Sequence, residues 1–506
     1  MELLMPYLRL PNPIGCVLTG SLLLSGCFDP PQQPKNHDGE QRLRVAMLQP
    51  PRSGLTPLSD DAFKLSRWST AETLVTLNAN GDATPALAEK WQQIDAHRWR
   101  FQLRQGVRFH DGTLFNALSV VRSLTAAMQA APKPRILDGV QLNVKADDEY
   151  TVMVSTATPD PLLPQRLSSP QLAILAERAY GANGVVNPLR AGTGAFVLTA
   201  VNGTSSARLD RFDGYWGQRA AAPGIDVSFV PDGSARAAAL RTGEADVVEA
   251  VPVAQVALID PPRVHQVPMP RTNTLYLNTQ YGTFSDPALR ALAATAIQRQ
   301  PLVENVYEGR ADIAAGLLGP ALPWAAALRQ PQPPITPPAS ANGAVITLAT
   351  FSDRAELPEV AVYLAQQLAA AGFVVKQEVR EYAHIEADAL AGKFDAFILS
   401  RATVLDSGDP VAYLYSDFAC QGSFNLAQLC DSQVDAALGH AAALPAGVER
   451  RQAIIAAESR ILATHAAIPL LHERVIQGEA AGVQQVARDP RERLLITPAS
   501  RVVQPQ

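Results

Sequence analysis

The chain has 506 residues, which at about one domain per ~150 residues allows three domains or one large two-lobed architecture and excludes a single small module. Hydrophobic residues at 47% and charged residues at 18% supply apolar material for more than one core, which excludes disordered and collagen-like chains. The net charge of −5 provides no basic field for a polyphosphate, so nucleic acid is not an expected partner.

At the N-terminus, Arg9 precedes an apolar stretch, 14–24, that ends in Leu24-Ser25-Gly26-Cys27 and is too short to span a bilayer. The last four residues resemble the lipobox of bacterial lipoproteins. That resemblance implies a signal peptide at 1–26, cleavage before Cys27, and a lipid on Cys27 that anchors the chain to the membrane. Phe28-Asp29-Pro30-Pro31-Gln32-Gln33-Pro34 then begins a polar tether over 27–40. No later segment approaches 18 uninterrupted apolar residues, so the remainder is expected to be soluble and to lie in the periplasm or cell envelope. With Cys16 removed in the signal peptide, Cys420 and Cys430 are the remaining thiols besides the anchor. In an oxidising compartment they can pair, the alternative being two free cysteines. Zinc is not favoured, because the spacing is not Cys-x-x-Cys and His440 is the only nearby histidine.

Leu43, Val45 and Met47 alternate over 42–48 as in a strand, and Trp99, Phe101 and Leu103 repeat the pattern over 98–104. A helix is predicted over 117–128. Residues 328–343 are Pro-rich and read as an exposed connector. Over 344–400, an apolar run at Val345, Ile346 and Leu348 precedes Leu357, Val360, Leu364, Leu368 and Ala371 at three- and four-residue spacing, closed by Gly372. A strand over 373–379, a helix over 385–390 and a strand over 394–399 follow. The order β-α-β-α-β predicts a parallel sheet with helices on its faces, whose ligands sit beyond the C-terminal strand ends. Attention therefore falls on the loop 401–410.

Standard catalytic spacings are absent. There is no Gly-x-Ser-x-Gly elbow, no Gly-x-x-x-x-Gly-Lys-Ser/Thr loop, no His-Glu-x-x-His and no serine three positions before a lysine. The eight histidines are scattered and read as structural. These readings describe a protein that is not an enzyme and has no cofactor or metal site of its own.

A series of short motifs carries a further identification: Glu72-Thr73-Leu74-Val75, Pro85-Ala86-Leu87-Ala88-Glu89-Lys90-Trp91, 103–113 with Gly106 and Gly112, Gly192-Thr193-Gly194-Ala195-Phe196, Tyr215-Trp216-Gly217, 240–247, Asn278, and Asp286-Pro287-Ala288-Leu289-Arg290. In order and spacing the chain resembles the extracytoplasmic solute-binding proteins of ABC importers, the family of dipeptide-, oligopeptide- and nickel-binding proteins. The resemblance implies an α/β, two-lobed periplasmic-binding-protein fold (type II-like, closing by a hinge) with an extra subdomain inserted in lobe I. Lobe I is expected over 41–60, 186–280 and 473–506, the insertion over 61–185 and lobe II over 281–472. It also implies a monomer that hands a short peptide, or another small zwitterion or chelate, to a permease and its ATPase.

In peptide-binding members an aspartate before an Asp/Glu-Pro pair holds the peptide's α-ammonium. Here Asp406 stands before Asp409-Pro410, and Arg354 occupies a place comparable to the arginine that takes the carboxylate. The loop from Cys420 to Cys430, with Asn425, resembles the disulfide-bearing loop of dipeptide-binding members. Physically, a zwitterion in a closed cleft needs an opposite charge at each end. Asp406 and Arg354 supply one of each. Two other readings stay open: Asp406 as an Asx cap of the turn before Gly408, and Arg354 as a solvated surface residue. In the runner-up reading the ligand is a nickel chelate, opine or metallophore, and Arg401 would grip its carboxylates. A periplasmic signalling or chaperone role is the alternative from another class.

Overall fold

The computed structural model describes residues 41–137, 139–181, 184–330, 336–404 and 407–503. The signal peptide, Cys27 and the tether, most of the centre of the Pro-rich connector, and Asp406 lie outside the described residues.

The first predicted strand is β1 (Leu43–Met47), and it lies inside a mixed sheet of eleven strands. It runs parallel to Gly224–Phe229 on one side and to Val247–Val248 on the other. The short helix α1 (Ala62–Arg67) follows it. Two long strands then carry the sheet from one half of the molecule to the other: β2 (Val264–Leu277), and a later antiparallel partner at Ala467–Glu479.

The far half contains the predicted β-α-β-α-β unit. It consists of β3 (Val345–Phe351), α2 (Glu356–Ala370), β4 (Val374–Arg380), α3 (Tyr382–Leu390) and β5 (Ala396–Ala402). β3 pairs in parallel with both β4 and β5, and β5 pairs antiparallel to β2. The partner strand of β2 is β6 (Ala467–Glu479). Helix α2 buries Leu357, Val360, Leu364 and Leu368 on the sheet, as their spacing predicts, and Gly372 follows it at φ 96°.

The pairing of β2 with β6 shifts register between Pro268 and Thr272. Proline has no N–H to give a ladder, and Pro268 and Pro270 stand in this stretch, so the strand bends there instead of ending. Val264–Pro268 pairs with β6 beside the half that holds β1, and Thr272–Tyr276 pairs with it beside β3 to β5. Two connections of this kind are what joins the lobes.

Three large apolar cores result. One gathers Leu275, Leu348, Leu364, Ile398 and Leu471, a second Leu74, Phe101, Phe115, Val154 and Leu175, and a third Leu43, Trp68, Phe196, Ile225 and Ile496. Leu65 and Trp68 pack in the third. They fall inside the range expected for the insertion, because α1 contributes its apolar side to β1 and its neighbours. A helix spans Ala117–Gln129, opened by a capping box between Asn116 and Ser119.

The motif series is explained by packing. The carboxyl of Glu72 accepts hydrogen bonds from Thr193 Oγ1 (2.7 Å), Tyr215 OH (2.9 Å) and Trp216 Nε1 (2.9 Å). Burial pushes this carboxyl above its usual range. Gly192 and Gly194 allow a close backbone approach: a Cβ on them would lie 1.9 Å from Thr70 O and 2.2 Å from Ser69 O. No helix among the described residues is long and apolar enough to cross a membrane.

Candidate functional site

The parallel strands β3 and β5 point their C-terminal ends at the place where β2 and β6 cross between lobes. Charged side chains converge there from several segments. Arg354, just past β3, donates to Glu473 of β6 at 3.0 Å. Arg271 of β2 faces Glu492 of the C-terminal segment at 3.6 Å. Arg67, at the end of α1, donates to Glu249.

The electrostatics distinguish these groups. Burial disfavours the charge of Arg354, but Glu473 and Glu492 outweigh it and raise its pKa. Burial also works against the Glu492 carboxylate, yet Arg271, Arg67 and Arg354 together hold it below the usual range. For Arg271 burial prevails over the pull of Glu492 and its pKa falls. Glu356, at the start of α2, is pushed up by burial. The floor of this region is polar too. Asn273 Nδ2 donates to Tyr307 OH at 2.6 Å. Asn273 Oδ1 and Ser400 Oγ, paired in register across β2 and β5, are buried without a hydrogen-bond partner among the described residues.

The sequence-derived candidates divide. Arg354 is in the crossing region. Arg401 is already engaged: its Nε and Nη2 donate to Asp417 at 2.8 and 2.7 Å, and its guanidinium lies 4.3 Å from the ring centre of Phe424. Asp417 is fully buried, which commits Arg401 to neutralising it. Asp409 is likewise committed. It accepts from Arg450 Nε and Nη2 at 2.8 and 3.0 Å and, at 3.0 Å, from the amide of Val411, the first residue of α4 (Val411–Phe418). Both side chains are thus engaged with protein partners in this structure. Asp406 lies outside the described residues, between Arg401 and Asp409. Cys420 and Cys430 are joined by a disulfide. Asn425 braces their loop by donating to Ala419 O and Leu429 O at 3.0 and 2.7 Å.

Arg271, Glu473, Glu492, Arg67 and Glu249 are not singled out in the sequence. An arginine inside the strand-like run Pro270-Arg271-Thr272-Asn273-Thr274 is the one signal available, since a charge on a sheet needs a partner. The glutamates carry none, because only the fold brings 473 and 492 beside it. Among the described residues no group of three or more His, Cys, Asp or Glu is arranged to hold a metal ion.

Residues 82–425 match the family described as bacterial extracellular solute-binding proteins, family 5, middle portion. The chain belongs to that family. Curated relatives of this family 5 protein include the glutathione-binding protein GsiB of Escherichia coli O1:K1, 28% identical over 296 residues, which are 55% of this chain and 57% of the relative. GsiB of Salmonella typhi is 30% identical over 242 residues, 46% of each chain. The chain thus matches about half the length of these relatives. Among solved structures, NikA from Brucella suis in complex with Fe(III)-EDTA gives a TM-score of 0.80 at 22% identity, covering 92% of this chain and 100% of that one. A dipeptide-binding protein from Pseudoalteromonas in complex with Met-Leu gives 0.77 at 18% identity, with the same coverages. These likenesses establish the two-lobed, type II-like binding-protein fold.

Proposed function

We propose that this family 5 protein is the binding component of an ABC importer, capturing short peptides in the cleft where β2 and β6 cross and delivering them unchanged to a membrane permease. The observation that carries the reading is the position of Arg354. It stands past the C-terminal end of β3, where ligands of parallel sheets bind, and it pairs with Glu473, a residue of a lobe-crossing strand. A peptide carboxylate can share this guanidinium with Glu473, while Asp406, from the loop after β5, receives the α-ammonium. Each ligand charge then meets an opposite one inside the closed cleft. The lobes, expected over 41–60, 186–280 and 473–506 and over 281–472, close about the β2 and β6 crossings. Export and a lipid on Cys27 would hold the protein, as a monomer, beside its permease, which intact mass of the mature chain checks.

Calorimetric titration with a dipeptide and its N-acetylated form tests the site. Wild type should bind the free dipeptide and lose most of that affinity on acetylation. Removing one partner of a desolvated charge pair costs about 2–5 kcal/mol, so Arg354→Ala and Asp406→Ala should each weaken binding by roughly 30-fold to several thousandfold. Equal binding of both peptides would rule out an ammonium site and favour a carboxylate-rich chelate as ligand.

A further inference from the structure

The paired strands Val75–Leu77 and Ala83–Pro85 are joined by the turn Asn78-Ala79-Asn80-Gly81-Asp82. Its own side chains hold the turn in shape. Asn78 Oδ1 accepts from the amides of Asn80 and Asp82 at 2.9 and 3.0 Å, and Gly81 supplies a left-handed φ of 85°. The root of the hairpin is Val75, packed with Leu74, Leu87 and Ala88 in the core that holds Phe101.

The tip rests on residues anchored in a different core. A Cβ on Gly81 would lie 2.9 Å from Gly408 O, and one on Gly408 would lie 2.6 Å from Leu77 Cδ1, so the two segments touch where both lack side chains. Arg451 Nη2 donates to Asp82 Oδ1 at 3.2 Å, across 369 positions of sequence. Its guanidinium lies 5.7 Å from the ring centre of Trp324. Val404 and Val411 on either side of Gly408, and Ile454 beyond Arg451 on the helix Val448–Ala463, belong to the core that holds Leu275. The Asp409–Arg450 pair ties the Gly408 loop to that helix, so the two parts that receive the turn are held together.

A contact of this make can separate. It consists of a partly exposed ion pair and a glycine-to-glycine approach, with a cavity of about 30 Å³ beside Asn80, Asp82, Trp324 and Arg451 in place of interlocked apolar side chains. From behind, Arg491 donates to Asn78 O and, at 3.3 Å, to Ala79 O. The next residue, Glu492, faces Arg271 at the strand crossing. One peptide bond therefore links the grip on the turn to the charged groups of the cleft.

We propose that the turn 78–82 is a latch, which seats on Gly408 and Arg451 when the lobes close and leaves them when the lobes part. The proposal rests on the reading that the lobes close over a ligand. Asn80→Cys with Ala446→Cys, two positions that line the same cavity, provides a trap: a short bis-maleimide joins the cysteines only while the turn is seated. In the ligand-free protein, Arg451→Glu sets like charges together and should slow cross-linking by about threefold or more, and adding Asp82→Lys should restore the rate. Glutamate suits the first turn of a helix, so Arg451→Glu should leave the fold intact. Gly81→Asn tolerates the left-handed φ but adds the excluded Cβ, and should slow trapping at least as much. Equal rates in all variants, or no cross-link in any, would overturn the latch. Added Ala-Ala should speed trapping in the parent protein. If the charge dependence holds but Ala-Ala changes nothing, the latch stands and the peptide reading fails; if calorimetry shows Ala-Ala binding while the rates stay equal, the peptide reading stands and the latch is refuted.

Discussion

Asp409→Ala separates structural from ligand-directed acids in the loop after β5. The Asp409 carboxylate takes two hydrogen bonds from Arg450, whose side chain is 6% exposed, and a third from the Val411 amide. Removing one member of a buried pair typically costs about 3–5 kcal/mol, and the lost hydrogen bond from the Val411 amide adds about 1. Against this, Arg450 keeps its bonds to the carbonyls of Ala441, Ala442 and Leu444, which solvate the abandoned charge in part. We therefore expect a net loss of about 3 kcal/mol. At about 2 °C per kcal/mol for a chain of this size, Tm should fall by roughly 6 °C. Differential scanning calorimetry of the ligand-free protein reads this directly. Asp409→Ala with Arg450→Met should recover much of the loss, because no unpaired charge remains. An unchanged Tm together with more than about tenfold weaker peptide binding would show that Asp409 serves the ligand, and would refute the assignment.

The Glu72→Ala variant leaves Thr193, Tyr215 and Trp216 without their shared acceptor, so chemical denaturation should show a loss of at least about 2 kcal/mol with the affinity of the remaining folded protein unchanged. Reduction of Cys420–Cys430 reopens a loop of sequence separation 10; a loss of about 3 kcal/mol is expected on chain-entropy grounds, measured as a shift in denaturant midpoint with and without reductant. Burial lowers His110 and His472 each to about 4. Because the unfolded chain protonates these rings near 6.5, their contribution is fully present above about pH 6.5 and is lost as the pH falls toward 4, by an amount on the order of 3 kcal/mol for each. Stability measured against pH should therefore decline across that window, and less steeply in His472→Gln; an unaltered slope would show that His472 is protonated in the fold.

Periodicity made much of the architecture legible. The spacing of Leu357, Val360, Leu364 and Leu368 and the apolar runs around it specify α2 and the parallel strands, because each depends on neighbours within a few residues. The motif series was legible as a resemblance, and the structure supplies its reason: Glu72, Thr193, Tyr215 and Trp216 are one hydrogen-bonded cluster assembled from distant segments. Electrostatic partnership was not legible. Arg401 and Asp409 look available in a loop sequence, yet Asp417 and Arg450 reach them only through the placement of α4 and of the helix Val448–Ala463. Arg271, Glu473 and Glu492 could not be grouped for the same reason. Their proximity is a property of two strands crossing between lobes, with a bend set by Pro268 and Pro270, and no local pattern encodes a meeting of residues about 200 positions apart.

A cleft at this crossing that binds short peptides through its charged groups should retain one during purification. Native mass spectrometry of the purified protein, after exposure to a mixture of di- to pentapeptides, tests it most directly. A retained mass that denaturation releases as an intact peptide is expected, and Arg354→Ala should fail to retain it although it still folds. Retention of a metal chelate in place of a peptide, retention undiminished in Arg354→Ala, or no retained mass at all would contradict it.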